Sequence, residues 1–310
     1  MNKLFSFPIV LMFFGFNSWA LTDCGLSLDI NNISFPSAGT SQTFTANVTL
    51  TRTNTTGQCK KFNIGFSTGT SGNYMRRAYS GSKYISYNLY KDNITNVSLK
   101  SLADNSNKNE LIKINFKKKS DISKSVTFEA RLPVPNDGRS ILAKGNYIDT
   151  IQATVESKNG QAQSVAKNFQ VALNIQPEIN ISLASPSTPF DPTSTSYTLE
   201  FVPIVEGDSR QVDLKVRSNA GYTVSIESFN GGYLKHKNDG NFTIPYQFTV
   251  ENGAARSFGG ANIPITLGSS SGVTPLDGVK FGLSFIIGSP AGKMAGEYED
   301  TITVVATSTD

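Results

Sequence analysis

The chain has 310 residues and a formal net charge of +4, from 28 lysines and arginines against 24 aspartates and glutamates; 38% of it is hydrophobic. That charge is too small and too evenly spread for a nucleic-acid surface, and its densest basic run, Lys117-Lys118-Lys119, reads as a solvated turn between strands. Two cysteines and a single histidine leave no donor set for a metal centre, and the length suits two domains.

Residues 1–20 read as a secretory signal peptide. Lys3 supplies a short positive start, Leu4 to Phe16 is apolar apart from Ser6, Pro8 and Gly15, and Ser18 and Ala20 place small residues at −3 and −1 of a cleavage site. The run is shorter than the roughly 18 apolar residues a membrane helix needs. Leu21-Thr22-Asp23-Cys24 is a poor lipidation signal, because Thr22 and Asp23 are neither small nor apolar as required. Export puts Cys24 and Cys59 in an oxidising compartment, where an isolated pair reads as one disulfide. Closing that loop contributes about 3–4 kcal/mol in the chain-entropy model. A metal or redox pair finds no support: there is no C-x-x-C, and His236 is the one histidine.

After the signal, apolar residues recur at every second position in short runs bounded by Gly, Asn, Asp or Pro. In chain order the runs are Phe44 to Leu50, Ile151 to Val155, Phe169 to Ile175, Ile179 to Leu183, Val212 to Val216, Tyr222 to Ile226 and Phe281 to Phe285. Period-2 alternation in short strands predicts antiparallel β-sandwiches with one face of each strand buried. A break near Pro177, followed by Ser185-Pro186-Ser187-Thr188-Pro189, divides the chain into residues 21–176 and 177–310.

The two parts echo each other. Gly145-Asn146-Tyr147-Ile148-Asp149-Thr150-Ile151 matches Gly296-Glu297-Tyr298-Glu299-Asp300-Thr301-Ile302, and each copy opens a strand. Asp149 and Asp300 read as turn residues. The first copy is followed by a turn and the alternating run Phe169 to Ile175; the second is followed, after Ser308, by Thr309 and Asp310. The expectation is that the first sandwich closes itself and the second stops one strand short.

These residues resemble the spore coat protein U domain family, whose members include subunits of archaic chaperone–usher pili. In the first part the resemblance lies in Cys59, Tyr74-Met75-Arg76-Arg77, the segment Tyr84 to Asp92, Val126-Thr127-Phe128, Arg131-Leu132-Pro133 and Gly145 to Thr150. In the second it lies in Ser218 to Val224, Gly231-Gly232-Tyr233-Leu234, Ile244-Pro245-Tyr246 and the closing Gly296 to Ile302 segment; this part lacks cysteines and departs further from the pattern. The resemblance implies an all-β protein of two immunoglobulin-like, pilin-like sandwiches, the second without its last strand. It implies strand addition, in which a periplasmic pilus chaperone and then the N-terminal donor strand of the adjacent subunit fill the gap, with an outer-membrane usher as further partner. No cofactor is implied.

On this reading the acceptor groove runs between Ile179, Ile181 and Leu183 on one side and Ile302, Val304 and Val305 on the other, and Asp310 is the chaperone contact. With Cys24 tied to Cys59, only Leu21, Thr22 and Asp23 precede the disulfide, too few to serve as a donor strand, so the expected position is a fibre tip. Tyr74, Met75 and Tyr79, in a Gly- and Ser-rich stretch, are candidates for an adhesive loop, although a supporting role in the core is favoured for them. The surface or glycan ligand is not legible. Catalysis is not expected: no serine elbow or metal-spaced cluster occurs, and His236, among Lys235, Lys237 and Asp239, reads as a solvated turn residue. The competing readings are a secreted carbohydrate-binding module and an extracellular coat or matrix protein; a chaperone and an usher encoded beside the gene would separate these from the pilus.

Overall fold

Each alternating run of the sequence lies in a β-strand of the computed structural model, which describes residues 22–36, 41–92, 96–133, 141–158 and 164–309. The signal segment, Leu21 and Asp310 lie outside the described residues. Eleven strands belong to the N-terminal sandwich: β1 (Ser27–Ile30), β2 (Ile33–Phe35), β3 (Gln42–Thr51), β4 (Lys61–Phe66), β5 (Arg77–Ser80), β6 (Lys83–Ser86), β7 (Asn88–Tyr90), β8 (Ile112–Asn115), β9 (Ser123–Leu132), β10 (Gly145–Ser157) and β11 (Val165–Ile175). Nine belong to the C-terminal sandwich: β12 (Ile179–Ala184), β13 (Ser209–Ser218), β14 (Gly221–Ser228), β15 (Tyr233–His236), β16 (Thr243–Val250), β17 (Ile265–Ser270), β18 (Val279–Ile287), β19 (Tyr298–Glu299) and β20 (Ile302–Thr309). The described residues contain no α-helix.

The N-terminal sandwich packs a sheet of order β1-β3-β9-β7 against one of order β2-β11-β10-β4-β8, with β5 and β6 attached through β10. Its core runs from Cys24 to Ile175 and includes the edge-to-face rings Phe66 and Phe169 and the Cys24–Cys59 disulfide. Lys117 to Lys119 sit exposed in the turn between β8 and β9.

The C-terminal sandwich repeats this plan with one omission. Its larger sheet begins β12-β13-β18-β16, as the first begins β1-β3-β9-β7. Its smaller sheet, β17-β14-β20, corresponds to β8-β4-β10 and stops there. The counterparts of β11 and β2, which continue the sheet beyond β10, have no equivalent among the described residues. The fold is therefore two immunoglobulin-like sandwiches, the C-terminal one lacking its last strand.

The echoed motif marks the same strand in both. The Tyr147 hydroxyl donates to Ala143 O at 2.9 Å and the Tyr298 hydroxyl to Met294 O at 2.6 Å, each four residues upstream. That back-bond at the entrance to the penultimate strand is the tyrosine corner of immunoglobulin-like sandwiches. Asp149 is not the turn residue its sequence context suggests: it is buried within β10, and Tyr87 Oη donates to its Oδ2 at 2.7 Å. Tyr246 Oη donates to Asp300 Oδ2 at 2.5 Å in the same relation. His236 is also buried rather than solvated. Its ring packs edge-on against Tyr298, and its Nδ1 accepts from the backbone of Asn238 and Asp239.

Candidate strand-acceptor groove

The difference between the two sandwiches is concentrated on one strand. β10 pairs with β4 on one side and, from Gly145↔Ile175 to Val155↔Val165, with β11 on the other. β20 pairs with β14 from Ser228↔Ile302 to Gly221↔Thr309, and its other edge has no strand partner among the described residues. An exposed row of backbone N–H and C=O groups is a template for a further strand.

The side chains beneath that edge are apolar and incompletely covered. Along β20, Ile302, Val304 and Ala306 point to the core and are half-buried; Thr303, Val305 and Thr307 point outward. Val305 thus does not line the groove: its parity places it on the opposite face, 43% exposed, and Ala306 takes the inward position. Across from β20, Ile179, Ile181 and Leu183 of β12 pack half-buried on the same core. The contrast with the closed sandwich is large. Among the described residues the N-terminal core has 31 buried apolar side chains and 5 partly covered ones, and the C-terminal core has 13 and 16.

Three residues that the sequence did not single out, Leu199, Phe201 and Ile204, also pack half-buried on the C-terminal core. They follow β12 in chain order as β2 follows β1, but β2 runs parallel to β11 through Val171↔Ile33 and Leu173↔Phe35, whereas residues 197–204 form no strand ladder. The segment is fastened at its start by Leu183 N to Ser194 O at 2.7 Å and later by Arg210 Nε to Glu200 O at 3.2 Å. The alternation Tyr197, Leu199, Phe201 was the available signal; the Pro- and Ser-rich stretch before it disguised the region as linker.

The entrance to β20 is rigid. Asp300 Oδ2 accepts from Ser228 Oγ and Tyr246 Oη, and its Oδ1 from Asn230 N and Thr301 N. Burial, reinforced by the hydrogen bond to this carboxylate, holds the Tyr246 phenol above its ordinary pKa; the same causes act on Tyr87 beside Asp149. Gly296 has φ +153°, and a Cβ there would come within 2.0 Å of His236 Nε2.

The proposed adhesive residues do not form one loop. Tyr74 is half-buried; its hydroxyl donates to Asp104 Oδ2 at 2.9 Å and accepts from Ser101 N at 2.8 Å. Tyr79 is half-buried in β5, 6.1 Å from the ring of Tyr84. Only Met75 of the three is exposed, at 72%, and it stands at the edge of an open pocket of about 710 Å³ bordered by Tyr90, Glu129 and Arg131. Arg76 ties the stretch to the strands around it. Fully buried, it donates to Ser67 O, Phe66 O, Leu99 O and Asn88 Oδ1, and desolvation lowers its pKa to about 10. No group of three or more metal-ligating side chains occurs among the described residues.

Residues 13–154 match the family model of the Spore Coat Protein U domain. No curated protein sequence matches the chain. Solved structures similar to it include a chain of the CsuC–CsuE chaperone–tip adhesion subunit pre-assembly complex from archaic chaperone–usher Csu pili of Acinetobacter baumannii, at 12% identity and a TM-score of 0.42, covering 90% of this chain and 99% of that one. The CupB6 tip adhesin of Pseudomonas aeruginosa is similar at 12% identity and a TM-score of 0.38, covering 93% and 95%.

Proposed function

We propose, for a chain whose residues 13–154 match the Spore Coat Protein U domain model, that it is a pilus subunit exported through the periplasm and assembled at the cell surface by strand addition to its C-terminal sandwich. One observation carries the reading: β20 has a free edge over a half-covered apolar row, where its counterpart β10 is sealed by β11. An added strand running antiparallel to β20 and parallel to residues 197–204 would restore both missing pairings of the first sandwich. A periplasmic chaperone would supply it before assembly, and the N-terminal extension of the adjacent subunit would supply it at the usher and in the fibre.

The N-terminal sandwich needs no such strand, since β11 completes it. Residues 22–25 are also committed to that sandwich. Cys24 is in the disulfide, its carbonyl accepts from Thr53 N and Asn54 N, Asp23 O accepts from Asn54 Nδ2, and Thr22 Oγ1 bonds Gln58 Oε1. A molecule with one acceptor groove and an N-terminal segment fixed in place suits the end of a fibre, with the N-terminal sandwich presenting the adhesive surface around Met75.

The test is a fusion that appends a copy of residues 165–175 after Asp310 through a short turn. A net gain of only about 2 kcal/mol raises the melting temperature of a sandwich this size by roughly 4–8 °C. The reading predicts at least that rise in the C-terminal transition, together with a higher soluble yield. An unchanged transition in a folded fusion would sink it.

A further inference from the structure

The C-terminal sandwich has two poles. One faces the N-terminal sandwich: Lys144 N donates to Asn219 O at 2.9 Å, and Lys144 Nζ to Thr309 O at 3.3 Å. The other lies where β14 ends, β18 ends and β20 begins, at Ser228, Ile287 and Ile302. Eight large apolar side chains of this sandwich are exposed, and six of them, Val202, Val205, Phe229, Tyr233, Ile263 and Met294, gather at this far pole. The remaining two, Tyr197 and Val305, lie on the segments that border the groove.

Backbone bonds fix the grouping. Phe229 N donates to Thr301 O and Asn262 N to Ser228 O, which brings Ile263 next to Phe229. Asp208 N donates to Val205 O and Ile287 N to Asp208 O, which sets Val205 at the end of β18. Tyr233 pairs with Pro245, one residue from the Tyr246↔Ile287 pair. Beside it opens a pocket of about 480 Å³ floored by Phe258 and Tyr246. Gly231 and Gly232, with φ of +68° and +87°, make its wall; a Cβ on Gly231 would strike the backbone of Gly260 and Ala261. Phe229 is 63% and Val202 83% exposed, so neither serves the core. Exposed apolar side chains gathered at one pole in this way mark an interaction surface.

The strand geometry identifies what covers it. β11 runs antiparallel to β10, starting opposite Val155 and ending opposite Gly145. A strand laid on β20 in the same sense starts beside Thr309, near the N-terminal sandwich, and ends beside Ile302, at the far pole. A subunit that donates its N-terminal extension therefore continues from that pole into its own folded body. We infer that the far pole, built on Phe229, Tyr233 and Ile263, is the docking face for the body of the strand-donating subunit. This rests on the strand-addition reading and extends the contact beyond the groove. Apolar anchors clustered beside a preformed pocket are what such an interface needs at its centre.

The experiment places a photocrosslinking benzoylphenylalanine at Phe229 in one variant and at Thr307, on the outer face of β20, in another, in cells that assemble fibres. Crosslinked peptides are identified by mass spectrometry. The expected result is that Thr307 captures the N-terminal extension of a subunit and Phe229 captures the sandwich of the same polypeptide. If Thr307 captures that extension while Phe229 captures nothing, a chaperone alone or a second copy of this chain, the docking face is refuted and strand addition stands. If Thr307 captures no strand, strand addition falls and the inference with it. A second arm uses the double variant Phe229→Ser, Ile263→Ser. It should lower incorporation into fibres about tenfold, the effect of losing a well-packed anchor, and leave binding of a synthetic peptide of residues 165–175 unchanged. Unaltered incorporation, or an equal loss of peptide affinity, would overturn the assignment.

Discussion

Replacing Tyr87 with phenylalanine deletes one hydroxyl and leaves the ring in place. Among the described residues that hydroxyl is the one donor to Asp149 Oδ2, at 2.7 Å, while Thr70 N, Thr70 Oγ1 and Thr150 N serve Oδ1. A hydrogen bond to a charged group is worth about 1.5–3 kcal/mol, and here its loss strands a buried carboxylate oxygen. Tyr87→Phe should therefore destabilise the N-terminal sandwich by about 2–3 kcal/mol. Tyr246→Phe removes the equivalent bond, but Asp300 Oδ2 keeps Ser228 Oγ and the carboxylate is only half-buried, so the C-terminal sandwich should lose about 1–2 kcal/mol. The assay is urea denaturation followed by circular dichroism, with the two sandwiches resolved as separate transitions. It gains a pH axis because both phenols have raised pKa values, first from burial and then from the hydrogen bond to the carboxylate. A raised pKa contributes stability that is complete below the unfolded value, about 10 for tyrosine, and is lost as the pH climbs above it toward the folded value. Wild type should weaken above about pH 10, and each Phe variant should weaken less in its own transition. Equal costs for the two variants, or a Tyr87→Phe cost under about 0.5 kcal/mol, would refute the reasoning.

Three further outcomes are expected. Val304→Arg should abolish binding of the 165–175 peptide by putting an unpaired cation into the groove, and Val305→Arg, on the outer face, should leave it intact in a calorimetric titration. Gly296→Ala should cost the C-terminal sandwich 2 kcal/mol or more (~), because the new methyl meets His236 Nε2, whereas Gly292→Ala, with φ +71° but open space around it, should cost only about 1 kcal/mol by chemical denaturation. Cys24→Ser should lower the stability of the N-terminal sandwich by about 3–4 kcal/mol, matched by reductant on the wild type, with the C-terminal transition unmoved.

The sandwiches were legible because period-2 alternation reports directly on which face of a strand is buried, and Phe44 to Leu50, Val212 to Val216 and Tyr222 to Ile226 all lie in strands. Of the candidate groove, the alternation at Ile179 and Ile181 marked half-buried residues of β12, but the sequence reading took both adjacent valines, 304 and 305, as lining, and the burial alternation along β20 turns only Val304 inward. Leu199, Phe201 and Ile204 were hidden because their segment forms no strand ladder and follows the Pro- and Ser-rich stretch 185–189. His236 misled for a different reason. Lys235 and Lys237 are exposed, but strand parity turns the ring inward onto Tyr298, and Gly296 supplies the room. Buried polar networks of this kind join residues far apart in sequence, and local composition does not register them.

The echoed G-x-Y-x-D-T-I segment accounts for how the second sandwich holds its shape with one strand fewer. An edge strand with half its apolar face uncovered has weak reason to stay flat against its neighbour. β20 is nonetheless fixed at its entrance, because Asp300 ties it to Ser228 at the end of β14 and, across the sandwich, to Tyr246 of β16, while Tyr298 locks the incoming turn onto Met294. In the N-terminal sandwich the same anchors, Asp149 with Tyr87 and Tyr147 with Ala143, hold a strand that β11 already secures. In the closed sandwich the motif thus fastens a strand that is also paired on both edges, and in the open one it fastens a strand paired on a single edge. It fixes the edge in register, so under the proposed strand addition an incoming strand would meet a preformed ladder and would not have to order β20 as it binds.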